Sequence, residues 1–388
     1  MPISRRDFVG APLLAAVTAA LPTRAAGAKP ASAGKRVSAA DAAGRAARAA
    51  VEAGACPGVA LQVAQRGRTL FARQVGLANL ETGTRVGPDS IFRVGSLTKQ
   101  FTAALVLKLA ADGKLKLDDP VHRYLPFFPS DRPFTVLELA HHTAGLRDDD
   151  TDAAASGDES SPTQLDLAKA IGRQQTFFDF PPGTAWRYSN ANYIVLGALV
   201  EKVADQSLAE AAAALIFRPL GLERTAFDTS AAVVRGRVDG YTRVDGAPGT
   251  FTHAPYLDVA RAGGAGAMRS CTDDLCRWHH ALFANRLFDA RWTSLMTTPG
   301  RLRDGRVSGS QRFSPEDASY GDVQYGMGLL LPPPDDKGRT VQHYGFINGF
   351  SALLETRLDQ ALTTAILCNA DPGPGLPFRA IREVSGHL

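Results

Sequence analysis

The 388-residue chain has no apolar run of the ~18 to 20 residues that a membrane-crossing helix needs, so no stable membrane span is expected. Cysteine is scarce: Cys56, Cys271, Cys276 and Cys368 include no CxxC pair and no dense disulfide spacing. Buried free thiols are the expectation, with a bridge such as Cys56 to Cys368 left open because spacing does not fix connectivity. Also missing are a GxSxG elbow, an HExxH zinc motif, a GxxxxGK[ST] loop and a GxGxxG followed by an acidic residue. The histidines of His141-His142 and His279-His280 are adjacent and diverge, so no metal or other cofactor is expected. A strong excess of either charge is lacking as well. Lys and Arg number 43 against 39 Asp and Glu, a net +4, and residues 1–28 hold Arg5, Arg6 and Arg24 against Asp7. A nucleic-acid partner is therefore not indicated.

What is present is a 45% hydrophobic composition, enough for a large core. Ser4-Arg5-Arg6-Asp7-Phe8, a short apolar stretch from Ala11 to Pro22, and Ala26-Gly27-Ala28 read together as a twin-arginine signal peptide over 1–28 with a small-residue cleavage site. That implies a periplasmic or secreted protein. Residues 29–40 read as a linker and 41–388 as one domain. Within it, 57–64 and 69–75 read as a strand hairpin turning at Arg66-Gly67-Arg68, and a helix runs from Ser96 to about Asp112, ended by Gly113. Helical stretches follow at 136–142, 165–173, 192–204 and 273–283. Strands return at 325–331, 340–344, 351–355 and 362–368, before a short helix at 378–384. Residues 148–162, acidic and rich in Ser and Ala, read as a surface loop that has the option of covering a site. The whole pattern is α+β: one antiparallel sheet built from both chain ends, flanked by helices, with an inserted mostly helical domain.

Three motifs carry chemistry. Ser96-Leu97-Thr98-Lys99 puts a serine and a lysine on one helix face at a helix start, where a desolvated amine can take the hydroxyl proton and backbone N–H groups can hold an oxyanion. In Tyr188-Ser189-Asn190 the phenol, lowered by an adjacent ammonium, is a second candidate base, and Asn190 can bond both the lysine and a substrate amide. In His343-Tyr344-Gly345-Phe346, Gly345 leaves room for substrate to lie as an added edge strand, and the Phe346 N–H is the second oxyanion donor beside Ser96.

In this order, SxxK, YxN and HxG resemble the signature motifs of class C β-lactamases, soluble D-Ala-D-Ala carboxypeptidases, and related esterases and D-aminopeptidases. Phe92-Arg93-Val94-Gly95, His141-His142-Thr143-Ala144-Gly145-Leu146 and Ala262-Gly263-Gly264-Ala265-Gly266 strengthen the likeness, which spans roughly residues 40 to 388. The resemblance implies a β-lactamase/transpeptidase-like fold and a two-step acyl transfer needing no cofactor. Ser96 would be the acylated nucleophile, Lys99 and Tyr188 the acid/base pair, Asn190 a polar positioner, and His343 a strand residue lining the site. Which of Lys99 and Tyr188 is the formal base stays open. The third motif departs from the class C pattern, where lysine and then threonine help bind the β-lactam carboxylate. His343, Tyr344 and Phe346 weaken that recognition, unless Arg301, Arg303, Arg306 or Arg312 folds over the site. The expectation is a serine hydrolase acting on a small-molecule or peptide substrate: a D-alanyl peptide, a β-lactam or a small ester. A carboxylesterase and a non-hydrolytic penicillin-binding sensor are the alternatives, and the oligomeric state is not legible.

Overall fold

The computed structural model describes residues 33–148 and 161–386. The expected signal peptide lies outside these residues, as do 29–32 of the expected linker and most of the expected loop at 148–162. The rest of the linker needs correction. Helix α1 (Ala33–Glu52) begins within it, so residues 33–40 are helical. Ala39, Ala40, Ala43, Ala47 and Ala50 form a buried stripe of small side chains that brings α1 close against β2 (Arg68–Asn79) and the C-terminal helix α7 (Phe378–Ser385).

β1 (Gly58–Gln65) and β2 form the expected hairpin, with Arg66 and Gly67 at φ of 49° and 75°, the left-handed values that a tight two-residue turn requires. On its other edge β1 pairs with β13 (Leu362–Cys368), followed by β12 (Phe350–Arg357) and β11 (Thr340–Ile347). With β3 (Thr84–Arg85), β9 (Gln324–Tyr325) and β10 (Leu330–Leu331) this makes an antiparallel sheet of 8 strands in the order β3-β2-β1-β13-β12-β11-β10-β9. The expected strand 325–331 is thus two short strands. Gly328, at φ 74°, turns the chain where a Cβ would lie 2.7 Å from the Lys99 carbonyl oxygen. A smaller sheet, β4 (Phe92–Arg93), β8 (Met268–Ser270) and β5 (Ala226–Phe227), anchors the turn before Ser96, and β6 (Tyr241–Arg243) pairs with β7 (Phe251–His253).

The central strands are buried on both faces, which needs two covering layers. α1 and α7 cover one face. Helix α2 (Thr98–Ala111) and α6 (Thr272–Phe283) cover the other, with Phe101 stacked on Trp278 at 4.3 Å between ring centroids. α2 is buried around almost its whole circumference. Its outer side meets α5 (Asn190–Ala204), on which α3 (Val136–Ala140) and α4 (Gln164–Gly172) pack. The α+β architecture read from the sequence is the one observed. All four cysteines are buried free thiols, with Cys56 and Cys368 within hydrogen-bonding reach of each other.

Candidate active site

Ser96 lies in the 3-10 turn Gly95–Leu97 that leads into α2, rather than in the α-helix itself. Two facing glycines let this turn lie directly on β11. A Cβ on Gly95, whose φ is 49°, would sit 2.6 Å from the Phe346 carbonyl oxygen, and one on Gly345 would sit 1.9 Å from that of Val94. Gly345 therefore makes room for the serine turn. The Val94 N–H, donating to the Met268 carbonyl at 3.0 Å, ties the other side of the turn to β8.

Backbone alternation orients the rest of β11. Ile347 and Phe350 flank the two-residue turn that joins β11 to β12, so Phe346 and Ser351 face each other as a non-hydrogen-bonded pair and the Phe346 N–H points away from β12. It shares this direction with the Tyr344 carbonyl, which accepts from His343 Nδ1 at 2.6 Å, and with Gln342, which pairs with β10. The Phe346 N–H thus lies beside Gly95, as an oxyanion donor would. The aromatic side chains of this motif do not line the site. Tyr344 packs on Phe378, its Oη accepting from Arg382, and Phe346 stacks on Tyr344, both against α7. The expectation that the Tyr344 and Phe346 side chains weaken carboxylate recognition is corrected accordingly, since both point to the other face of β11.

Lys99 is completely buried, and its Nζ donates to Ser96 Oγ at 3.1 Å, Asn190 Oδ1 at 2.7 Å and the Ala265 carbonyl at 2.9 Å. Burial penalises the ammonium and pulls its pKa down to about 7, against the opposing charge of Asp148. Tyr188 has its phenol beside Ser96, close enough for the serine to oppose the rise in its pKa, and its ring centroid 4.8 Å from Lys99 Nζ. Its ring lies between His142, at 4.6 Å, and a stacked Tyr320, at 6.0 Å. In this wall burial drives the phenol well above its ordinary value, the reverse of the lowering expected from a neighbouring ammonium. His343 is buried, accepts from Tyr325 Oη at 3.1 Å through Nε2, and is held neutral by burial, which pushes it down to about 3.

The site therefore gathers Lys99 and Tyr188 around the Ser96 hydroxyl, with Asn190 bonded to Lys99, His343 behind them and the Phe346 backbone at the edge. Sequence reasoning missed three contributors. Asp148, assigned to a surface loop, accepts from the Asn190 N–H at 2.7 Å, the Ala191 N–H at 3.2 Å and Asn190 Nδ2 at 3.1 Å. His142, at φ 60°, accepts the Ser189 N–H at 3.2 Å. Tyr325 supports His343. The one available signal was the His141 to Leu146 stretch, singled out only for its resemblance. Arg301, Arg303, Arg306 and Arg312 are each held elsewhere: by the Gly305 carbonyl, by Glu138, by Asp304, and by the Trp186 ring with the Val323 carbonyl.

A serine turn seated on the edge of an antiparallel sheet, with a buried lysine behind it, defines the class: serine hydrolases of the β-lactamase/transpeptidase-like fold. The Beta-lactamase family model matches residues 43–386, and the chain belongs to that family. Penicillin-binding protein 4* of Bacillus subtilis is 27% identical over 321 residues, 79% of this chain and 67% of its own length. Esterase EstB of Burkholderia gladioli is 37% identical over 179 residues, 42% of this chain and 45% of its own length, so the chain spans only part of these curated relatives. Among solved structures, a D-stereospecific amidohydrolase from Streptomyces superposes with a TM-score of 0.72 at 29% identity, covering 88% of this chain and 97% of that one.

Proposed function

We propose that this protein hydrolyses an ester or amide through an acyl-enzyme on Ser96, with Lys99 as the proton acceptor and Tyr188 as a protonated relay. The observation that carries the reading is the fully buried Lys99 bonded to Ser96 Oγ. An amine with a pKa near 7 is substantially neutral at physiological pH and has a lone pair for the serine proton, whereas a phenol raised by burial keeps its own. Ser96 Oγ attacks the carbonyl carbon as its proton passes to Lys99 Nζ. The backbone N–H groups of Ser96 and Phe346 hold the oxyanion. The proton then moves from Lys99, by way of Tyr188 Oη, to the leaving oxygen or nitrogen as that bond breaks. Water repeats the sequence on the acyl-enzyme and frees Ser96.

The substrate we propose is uncharged beside the scissile bond: a small ester, or an amide without an adjacent carboxylate. Among the described residues His343 is kept neutral by burial, and Arg303 and Arg306 are paired with Glu138 and Asp304, so these side chains offer no free cation to a β-lactam or D-alanyl carboxylate. The esterase of Burkholderia gladioli and the amidohydrolase of Streptomyces, both similar to this chain, agree with this. We further propose a periplasmic or secreted location, reached by the twin-arginine route, on the strength of Ser4 to Phe8. No helix among the described residues is long and apolar enough to cross a membrane.

The test is turnover of p-nitrophenyl butyrate, a D-amino acid amide, nitrocefin and a D-Ala-D-Ala peptide in parallel, with Ser96→Ala as control. The ester or amide should exceed nitrocefin by at least ~10-fold in kcat/KM, and all turnover should vanish in Ser96→Ala. The rate should rise with pH through about 7, as Lys99 loses its proton. Activity that survives Ser96→Ala would overturn the nucleophile, and a burst without turnover would instead indicate a sensor.

A further inference from the structure

We infer that Asp148 is a positioning residue of this site, whose carboxylate clamps the Asn190 amide so that Oδ1 faces Lys99 and supplies a half-buried negative charge across Asn190 from the Lys99 ammonium. The inference rests on the reading of Ser96 and Lys99 proposed above. A side-chain amide is nearly symmetric in shape, so its two ends are told apart only by their partners. Asn190 Oδ1 accepts from Lys99 at 2.7 Å, while its Nδ2 donates to Asp148 Oδ2 at 3.1 Å. A donor on one side and an acceptor-only carboxylate on the other permit a single orientation.

The same carboxylate holds the first turn of α5, because Asp148 Oδ1 accepts the N–H groups of both Asn190 and Ala191. Ser189, in the N-cap position, makes no side-chain cap bond of its own. Asp148 thus substitutes for the missing cap while fixing the residue that contacts Lys99. Burial raises the Asp148 carboxyl above its ordinary pKa, while the Lys99 charge and the N–H groups of Ala191 and Asn190 oppose that rise and favour the ionised form.

The other titratable groups around the pair leave Asp148 as the charge that matters. Toward Lys99 face His142 and His343, both kept neutral by burial, and Tyr188 and Tyr193, whose phenols burial holds protonated. Toward Asp148 face Tyr188, Tyr320, also a protonated phenol, and Arg187, which is bound to Asp179 at 2.9 Å. A negative charge near an ammonium favours the protonated amine. Removing that charge should make Lys99 give up its proton at lower pH.

The experiment measures p-nitrophenyl butyrate hydrolysis, and the rate of covalent labelling by a fluorophosphonate, from about pH 5 to pH 9 for the full chain, Asp148→Asn, Asp148→Glu and Ser96→Ala. Asp148→Asn sets an amide against an amide and should turn Asn190 around. We expect kcat to fall roughly 10- to 100-fold with KM little changed, and the acidic limb of both profiles to move to lower pH by roughly one unit. Asp148→Glu should keep the limb in place. Should Asp148→Asn fail to fold, as judged by circular dichroism, Asp148→Ser carries the same expectation. A limb at the wild-type position in the uncharged variant overturns the proposal, whether or not kcat falls. Labelling that persists in Ser96→Ala would instead sink the underlying reading of the site, so the two failures are distinguishable.

Discussion

At position 345 a single methyl group would decide whether the serine turn can rest on the sheet. With only 1.9 Å to the Val94 carbonyl oxygen, Gly345→Ala must push the Gly95–Leu97 turn off β11 or bend the strand. Overpacking of this kind costs about 1–3 kcal/mol, and the displacement falls on Ser96 itself. We expect urea unfolding to show that modest loss while ester hydrolysis drops by roughly 100-fold or more, whereas equal small losses in both would contradict the packing argument. The motif HxG was legible from the sequence, but the purpose of its glycine was not, because the obstructing carbonyl belongs to a residue some 250 positions earlier. A shorter separation, 42 positions from its partner Asn190, hid Asp148. Standing at the head of an acidic, serine-rich run, it carries no local sign that its carboxylate turns inward. Tyr344 and Phe346 were misjudged for another reason: period-two alternation places both on one face of a strand, but not on which face.

Helix α3 shows how an element far from the nucleophile steadies the wall of the site. Thr135 Oγ1 accepts the Glu138 N–H at 3.1 Å, and Glu138 Oε2 accepts the Thr135 N–H at 2.8 Å, a reciprocal capping pair. Glu138 also binds Arg303, and His142 follows two residues after the end of α3. Thr135→Ala should cost about 1 kcal/mol, read as a lowered urea midpoint with an unchanged slope, and should speed amide exchange in the first turn of α3. An unchanged midpoint would mean that the cap is redundant with Arg303. At this scale most elements could be read from pattern, including the terminal hairpin and the last three long strands. The failures were local in cause. Alanine spacing in 33–40 suits a linker as well as a closely packed helix, and Gly328 divides a run whose apolar character reads as continuous.

The whole molecule is tied together by buried charge as well as by its sheet. Asp228 has no exposed side-chain surface and pairs with Arg93 at 3.1 Å, Arg237 at 2.8 Å and Arg269 at 2.8 Å, joining β4, β8 and the segment after β5. Burial alone would raise its pKa, but the bond to Arg237 and the three guanidinium charges outweigh burial and hold it below the ordinary carboxylate value. A carboxylate lowered in the folded state contributes stability that is complete above its unfolded pKa of about 3.9 and is lost as pH falls through the folded value. Asp228→Asn should therefore cost about 3–5 kcal/mol at neutral pH and shrink the difference between mutant and wild type as the solution is acidified below about pH 4. A difference independent of pH would show that the trio of arginines does not sense the charge. The sheet imposes a further condition on how the protein comes into being. β1 ends at residue 65, and its partner β13 begins at residue 362, so during synthesis the ribosome must deliver almost the whole chain before the innermost strand meets its second neighbour. Until then β1 presents an apolar edge with nothing to close it, and the nascent protein depends on whatever keeps such edges apart in the cell.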